Sequence, residues 1–223
     1  MAGLQVVTEA ADYPVSLTRV KDHLRLSDQT DDTLVRSLII AATKQVEEMT
    51  QRTLMNTTYN LFIDYVNETD YALWEGTRVG ADVSYRQNFI ELPRAPLASV
   101  THVKSYDDSD TATTFDSAKY FVDTANTPPR IVLRDGQSWP TGLRAANGLE
   151  IQYVAGYGSN DTDVPEPLRL AIMQFITFNY EHRGDFERFP PPKPPTIIES
   201  LIRPYKVMSL NSTPFNNILQ KTW

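Results

Sequence analysis

The stretch LRLAIMQFITFNY, residues 168–180, limits the fold more than any other part of the chain. Read as a helix, it puts Leu168, Ile172, Phe175 and Ile176 on one side. Leu170, Met173, Thr177 and Phe178 cover much of the rest. A helix that is apolar nearly all round must be buried on several sides. It carries Arg169 and is too short to cross a bilayer, so its burial has to come from protein. Pro165 or Pro167 fits its first turn, Glu166 suits its positive end and Gly184 suits its stop. The expected neighbours are the other helices, together with a sheet or a neighbouring subunit.

Those other helices lie at the N-terminal end. SLTRVKDHLRL can be capped by Ser16, with Leu17, Val20 and Leu24 on one face. After the polar break SDQTDD, with Thr30 or Asp31 as cap, comes DTLVRSLIIAATKQVEEMTQRT. Here Leu34, Leu38, Ala41, Ala42 and Met49 form a stripe at helical spacing, with Asp32 in the first turn and Arg52 in the last. Two helices across a short polar loop make an αα-hairpin. The preceding residues show neither a basic region nor a long apolar run, so no secretory signal is expected.

Between the helices the pattern changes. TTYNLFIDYV, NFIELP, SVTHVKSYD, KYFVD, RIVLRDG and GLEIQYVAGYG are short and bounded by Pro, Gly, Asp or Asn, and most are rich in strand-forming residues. They predict an antiparallel sheet or small sandwich, and no βαβ alternation points to a parallel one. Residues 67–87 read as a long polar connection. The expected fold class is therefore α+β. Residues 1–54 form a helical hairpin, 55–160 an inserted antiparallel β-rich subdomain, and 161–188 the buried helix that completes the bundle. Residues 189–223 form an extended arm.

The arm opens on FPPPKPP, which favours a stiff polyproline II spacer. TIIESLIR then suits one or two helical turns before Pro204. Ile197, Ile198, Leu201, Ile202, Pro204 and Tyr205, with Phe215 and Trp223 further on, are expected to anchor on another chain. The arm holds four basic residues against one acidic residue, whereas the rest holds 17 against 27, within a net charge of −7. Such an acidic body disfavours wrapping nucleic acid. The basic arm suits an acidic partner surface.

The residues give little support for catalysis. There is no cysteine, hence no disulfide, thiolate nucleophile or zinc–thiolate site. His23, His102 and His182 are far apart and form no metal-binding pair, and His182 suits a helix C-terminus. Asp107, Asp108 and Asp110 lack the Gly and closing Glu of a calcium loop and read as a polar turn. Residues 155–159, AGYGS, lack the ending of a phosphate loop and read as a turn. Asp123, Asp135 and Glu150 could pair only if the fold brought two together. No GxSxG occurs. Trp74, Trp139 and the many tyrosines keep open a second reading, a β-rich ligand- or glycan-binding module with helical flanks.

The order of these segments carries a resemblance. SLTRVKDHLRL, DDTLVRSLIIAATKQVEEMTQRTL, ELPRAPLASVTHVKSYD, PPRIVL, a WP pair, IQYVAGYG and VPEPLRLAIMQFITFNYEHRG follow one another over residues 14–188. In that order they resemble the head-to-tail connector (adaptor) family of long-tailed bacteriophages and gene-transfer particles. LIRPYKV resembles the family's closing segment. The resemblance implies a non-enzymatic virion protein without cofactor or membrane, made in the host bacterial cytoplasm. It implies a ring, usually dodecameric, beneath the portal protein. Such a ring receives the downstream neck and tail-completion proteins, and DNA passes through its lumen without specific binding.

Overall fold

A computed structural model describes residues 2–64, 88–183 and 195–207. Among these described residues, four α-helices and eight strands, the strands all paired antiparallel, make the chain mixed α+β. Trp74, the connection 67–87, the proline run to Pro194, Phe215 and Trp223 lie outside the described residues.

The helices are α1 (Leu17–Leu24), α2 (Asp32–Thr50), α3 (Glu166–Glu181) and α4 (Thr196–Ile202). Ser16 caps α1 by accepting from the Arg19 amide at 3.3 Å. Val20 is buried and Leu17 and Leu24 pack beside it, so that face is as expected. In α2 the stripe is turned by one residue. Val35, Ile39, Ala42, Thr43, Val46 and Thr50 are buried, while Leu34 and Ala41 are exposed and Leu38 and Met49 are half-buried. Gln51, in the left-handed region, ends the helix, so Arg52 lies beyond it. No residue of α3 from Pro167 to Tyr180 is fully exposed. The helix lies against α1, α2 and α4.

Helix α4 corrects the expectation for the arm. Ile198 and Ile202, four residues apart on one face, are 1% and 3% exposed within the chain's own helical core. The 3-10 turn Arg203–Tyr205 follows, and Leu201 and Tyr205 pack against the same core. The Arg52 Nε donates to the Tyr205 carbonyl at 2.5 Å, and the Val207 amide donates to the Thr50 carbonyl at 2.9 Å. This segment is thus tied to the C-terminal end of α2. The apolar neighbour that α3 requires is partly α4 itself.

The strands are β1 (Ala2–Thr8), β2 (Thr57–Ile63), β3 (Phe89–Glu91), β4 (Leu97–Tyr106), β5 (Ala112–Thr114), β6 (Tyr120–Asp123), β7 (Arg130–Leu133) and β8 (Leu149–Ala155). One sheet has the order β1-β2-β8-β4-β5 and the other β3-β7-β6. β1 is a second correction, since residues 2–8 join the sheet instead of the helical hairpin. A core separate from that of the helices is built from both sheets, with Leu61, Ile90, Val103, Ile131, Ile151 and Tyr153 among its members.

The two cores meet where α2 passes into β2. Glu47 is buried and accepts from the Leu54 amide at 2.9 Å, while Lys44 approaches its other oxygen at 3.5 Å. The Tyr157 amide donates to the Leu54 carbonyl at 3.1 Å, and the Asn56 amide to the Gly158 carbonyl at 3.0 Å. Arg169 ties α3 to the N-terminal segment, donating from Nε to the Pro14 carbonyl at 3.2 Å. It also pairs with Asp161 at 3.2 Å and Glu166 at 3.1 Å. These partners are what let a charged side chain lie 7% exposed.

Candidate interface

Glu150 is the most embedded of the candidate carboxylates. Strand alternation puts it on the sheet face opposite Leu149 and Ile151. Its neighbours there are Lys104 on β4 and Phe62 on β2. One oxygen lies 3.0 Å from His102 Nε2 and 3.4 Å from Asn60 Nδ2. The Tyr106 hydroxyl donates to the other at 2.7 Å. Gln152 donates to Asn60 at 3.0 Å and extends the network. Burial pushes the Glu150 carboxyl up, but hydrogen bonds from His102 and Tyr106, with the charges of His102 and Lys104, bring it below its ordinary value. The phenol of Tyr106 is raised, chiefly by its bond to that carboxylate. The arrangement links β2, β4 and β8 through side chains that are already engaged with one another.

A folded-state pKa below the unfolded one means that Glu150 stabilises the fold above its ordinary pKa of 4.5. That contribution is lost as the pH falls through the lower, folded value. Asp31 and Asp123 are lowered too, by bonds from Tyr180 and Arg130 respectively, so they share the acid limb. Urea denaturation of Glu150→Gln at stepped pH should show a shallower loss of stability below pH 4.5 than wild type. Superimposable acid limbs would show that the network adds nothing.

The remaining candidates fall apart spatially or serve local structure. Asp123 lies on β6, in the other sheet from Glu150, and receives Arg130 Nε at 2.9 Å. Asp107 accepts from the amides of Ser109 and Thr111, both at 2.9 Å, as a turn residue does. Asp110 pairs with Arg144 at 2.8 Å. No group of three or more His, Cys, Asp or Glu suited to a metal occurs among the described residues. Gly156 and Gly158 form the turn that docks β8 on residues 55–56. His182 sits at the end of α3, its Nδ1 2.8 Å from the Phe178 carbonyl. Trp139 is buried against Phe115, with ring centroids 5.7 Å apart, so it packs the sheet core. Among the described residues, no helix is long and apolar enough to cross a membrane.

Several large apolar side chains are exposed among the described residues. Of the expected arm anchors, Ile197 is 52% exposed and Pro204 is exposed, Leu201 and Tyr205 are half-buried, and Ile198 and Ile202 are withdrawn into the core. Sequence reasoning missed Leu4, Val6 and Val7 on β1 and Phe121 on β6, all exposed. The alternation Leu4-Gln5-Val6 was the available signal for a strand; nothing in it told an open edge from a covered one.

Among the described residues the chain is mixed α+β, its candidate catalytic groups lie apart, and a few large apolar side chains are exposed. Residues 14–106, from the residue before the α1 cap region through the end of β4, match the model of the family described as "Phage gp6-like head-tail connector protein". This is the family resemblance read from the sequence. No curated protein matches the chain. Among solved structures, a chain in the neck of an empty gene transfer agent particle, computed with C6 symmetry, aligns with a TM-score of 0.73 at 22% identity. The alignment covers 95% of this chain and 98% of that one. A chain in the virion of a native gene transfer agent particle aligns with a TM-score of 0.70 at 18% identity, covering 94% and 98%. A chain in the neck of a native particle, computed with C12 symmetry, gives 0.65 at 20% identity, covering 95% and 98%. These likenesses extend the shared fold across nearly the whole chain.

Proposed function

We propose that this chain is a structural head-to-tail connector of a phage-like virion, situated in the neck. The carrying observation is the family match over residues 14–106, with the fold match to neck and virion chains continuing beyond it. Its α1–α2 hairpin and α3 form a helical bundle into which the β-rich part is inserted. Copies assemble into a ring, for which the C6 and C12 symmetries of the similar necks give support. We read twelve copies, a portal protein on one side and later neck proteins on the other. DNA passes through without specific binding, consistent with the net charge of −7. The role is architectural and requires no cofactor.

The exposed Ile197 and Pro204 and the half-buried Tyr205 remain the described residues best placed to meet a portal. Cryo-microscopy of particles made by the producing virus tests the reading. The expected map contains this chain as a ring between capsid and tail. Particles whose necks lack it would overturn the assignment.

A further inference from the structure

We propose that copies of this chain join head to tail through the β1 edge of one copy and the β5–β6 end of the next. The inference rests on the ring reading above and adds the surfaces that close it.

A ring is built from a heterologous contact, in which two different patches of one chain are complementary. The larger sheet has two different ends, β1 and β5. β1 is seven residues long, and its outer edge pairs with no other strand among the described residues. Exposed edges are normally blunted by charge, proline or short length. β1 is AGLQVVT, with no charge and no proline, and Leu4, Val6 and Val7 are 39–47% exposed. An uncharged apolar edge of this length is a template for another strand.

At the opposite end the three residues of β5 are uncharged, with Lys119 Nζ 5.6 Å from the ring of the following Phe115. Ala112, Thr113 and Thr114 of β5 are all exposed. Phe115, the next residue, stacks on Tyr120 with centroids 6.0 Å apart. The neighbouring Phe121, 55% exposed, follows Tyr120 on β6 with its side chain on the other face of that strand. Register puts Leu4 and Val6 opposite Leu61 and Tyr59, on the core side of the sheet. Thr113 opposite Ser105, itself opposite Leu149, is on that same side. A sheet continued from β5 into the next copy's β1 therefore sets Leu4 and Val6 beside the core margin at Phe115. The isologous alternative, β1 on β1, would close a dimer and leave the β5–β6 end uncovered.

The chain has no cysteine, so introduced ones are its only thiols. The full chain carrying Val7→Cys and Phe121→Cys is incorporated into particles and treated with a short bismaleimide. The expected result is a ladder of covalent multiples of this chain, absent for either single variant. A ring visible in the neck without a ladder overturns this inference and leaves the connector reading intact. Necks that lack the chain overturn both. Cross-linked dimers from Val7→Cys alone identify the isologous contact and overturn the head-to-tail one. In parallel, Val6→Lys and Phe121→Lys, both at exposed positions, should each lower incorporation about tenfold or more with the thermal midpoint unchanged. Unchanged incorporation for both counts against the contact.

Discussion

Ile198→Ala is expected to destabilise the isolated chain by about 2–5 kcal/mol. Ile197→Ala, one residue earlier on the same helix, is expected to change stability by no more than about 0.5 kcal/mol. The contrast follows from burial: Ile198 is 1% exposed in the core formed with α2 and α3, and Ile197 is 52% exposed. Removing three carbons from the first leaves a cavity among side chains held by two longer helices, which relax only in part. Urea denaturation of both variants measures the difference. If Ile198→Ala leaves the midpoint unchanged, α4 does not occupy the core in solution, and the segment returns to being an arm whose partner is another chain. The converse prediction concerns assembly. Ile197→Asp should impair incorporation into particles while sparing stability, because an exposed apolar anchor acts only when a partner covers it.

The docking of α4 shows what sequence can and cannot specify. Ile198 and Ile202 are spaced i, i+4, which says that the helix has an apolar face. Spacing does not say which chain supplies the other half of the contact. The preceding prolines suggested an outward spacer, yet hydrogen bonds from Arg52 and Val207 bring the end of the segment back to α2. Those bonds join residues far apart in sequence, and no local pattern encodes them. The apolar completeness of α3 was the better clue, because it demanded an additional neighbour, and α4 is one.

Helix α2 presents the same limit in a different form. LVRSLIIAA offers two stripes one residue apart, Leu34-Leu38-Ala41 and Val35-Ile39-Ala42, of nearly equal apolarity. Periodicity fixes the helix but not its rotation about its own axis. The buried set is decided by the approach of α3 and by Glu47, which must face inward to receive the Leu54 amide. The central strands, in contrast, were legible at each step. β2, β4 and β8 have β-branched or aromatic residues on one face and Pro, Gly or Asp at their ends. β1 was not, because an edge strand with exposed side chains lacks the burial that makes alternation informative. The candidate interface divides in the same way. Residues buried in this chain were readable as apolar anchors, while those proposed to face another copy emerge only when exposure is known.

The second large effect is expected at the junction of the two cores. Gly156 has φ +145°, a conformation that residues with a side chain rarely adopt. A Cβ there would lie 2.5 Å from the Asn56 nitrogen, 2.6 Å from the Met55 carbonyl carbon and 2.7 Å from the Asn56 Cα. All three are backbone atoms, so no rotamer change relieves the clash. Gly156→Ala should therefore combine backbone strain with overpacking, for a loss of about 2–6 kcal/mol. Gly136 provides the control, with φ +74° and nothing within 4 Å of its Cβ position. Gly136→Ala should cost only the left-handed penalty, about 1–2 kcal/mol. Equal midpoints for the two variants in urea would show that β8 does not press on residues 55–56 as closely as described. The distinction reaches function because the Gly156 amide bonds the Pro96 carbonyl at 2.9 Å, while Tyr157 and Gly158 bond Leu54 and Asn56. These bonds mount the sheets on the helical bundle. Under the proposed head-to-tail contact each copy presents its two sheet ends at a fixed angle, so a variant that folds but loosens this turn should lose ring assembly before it loses secondary structure.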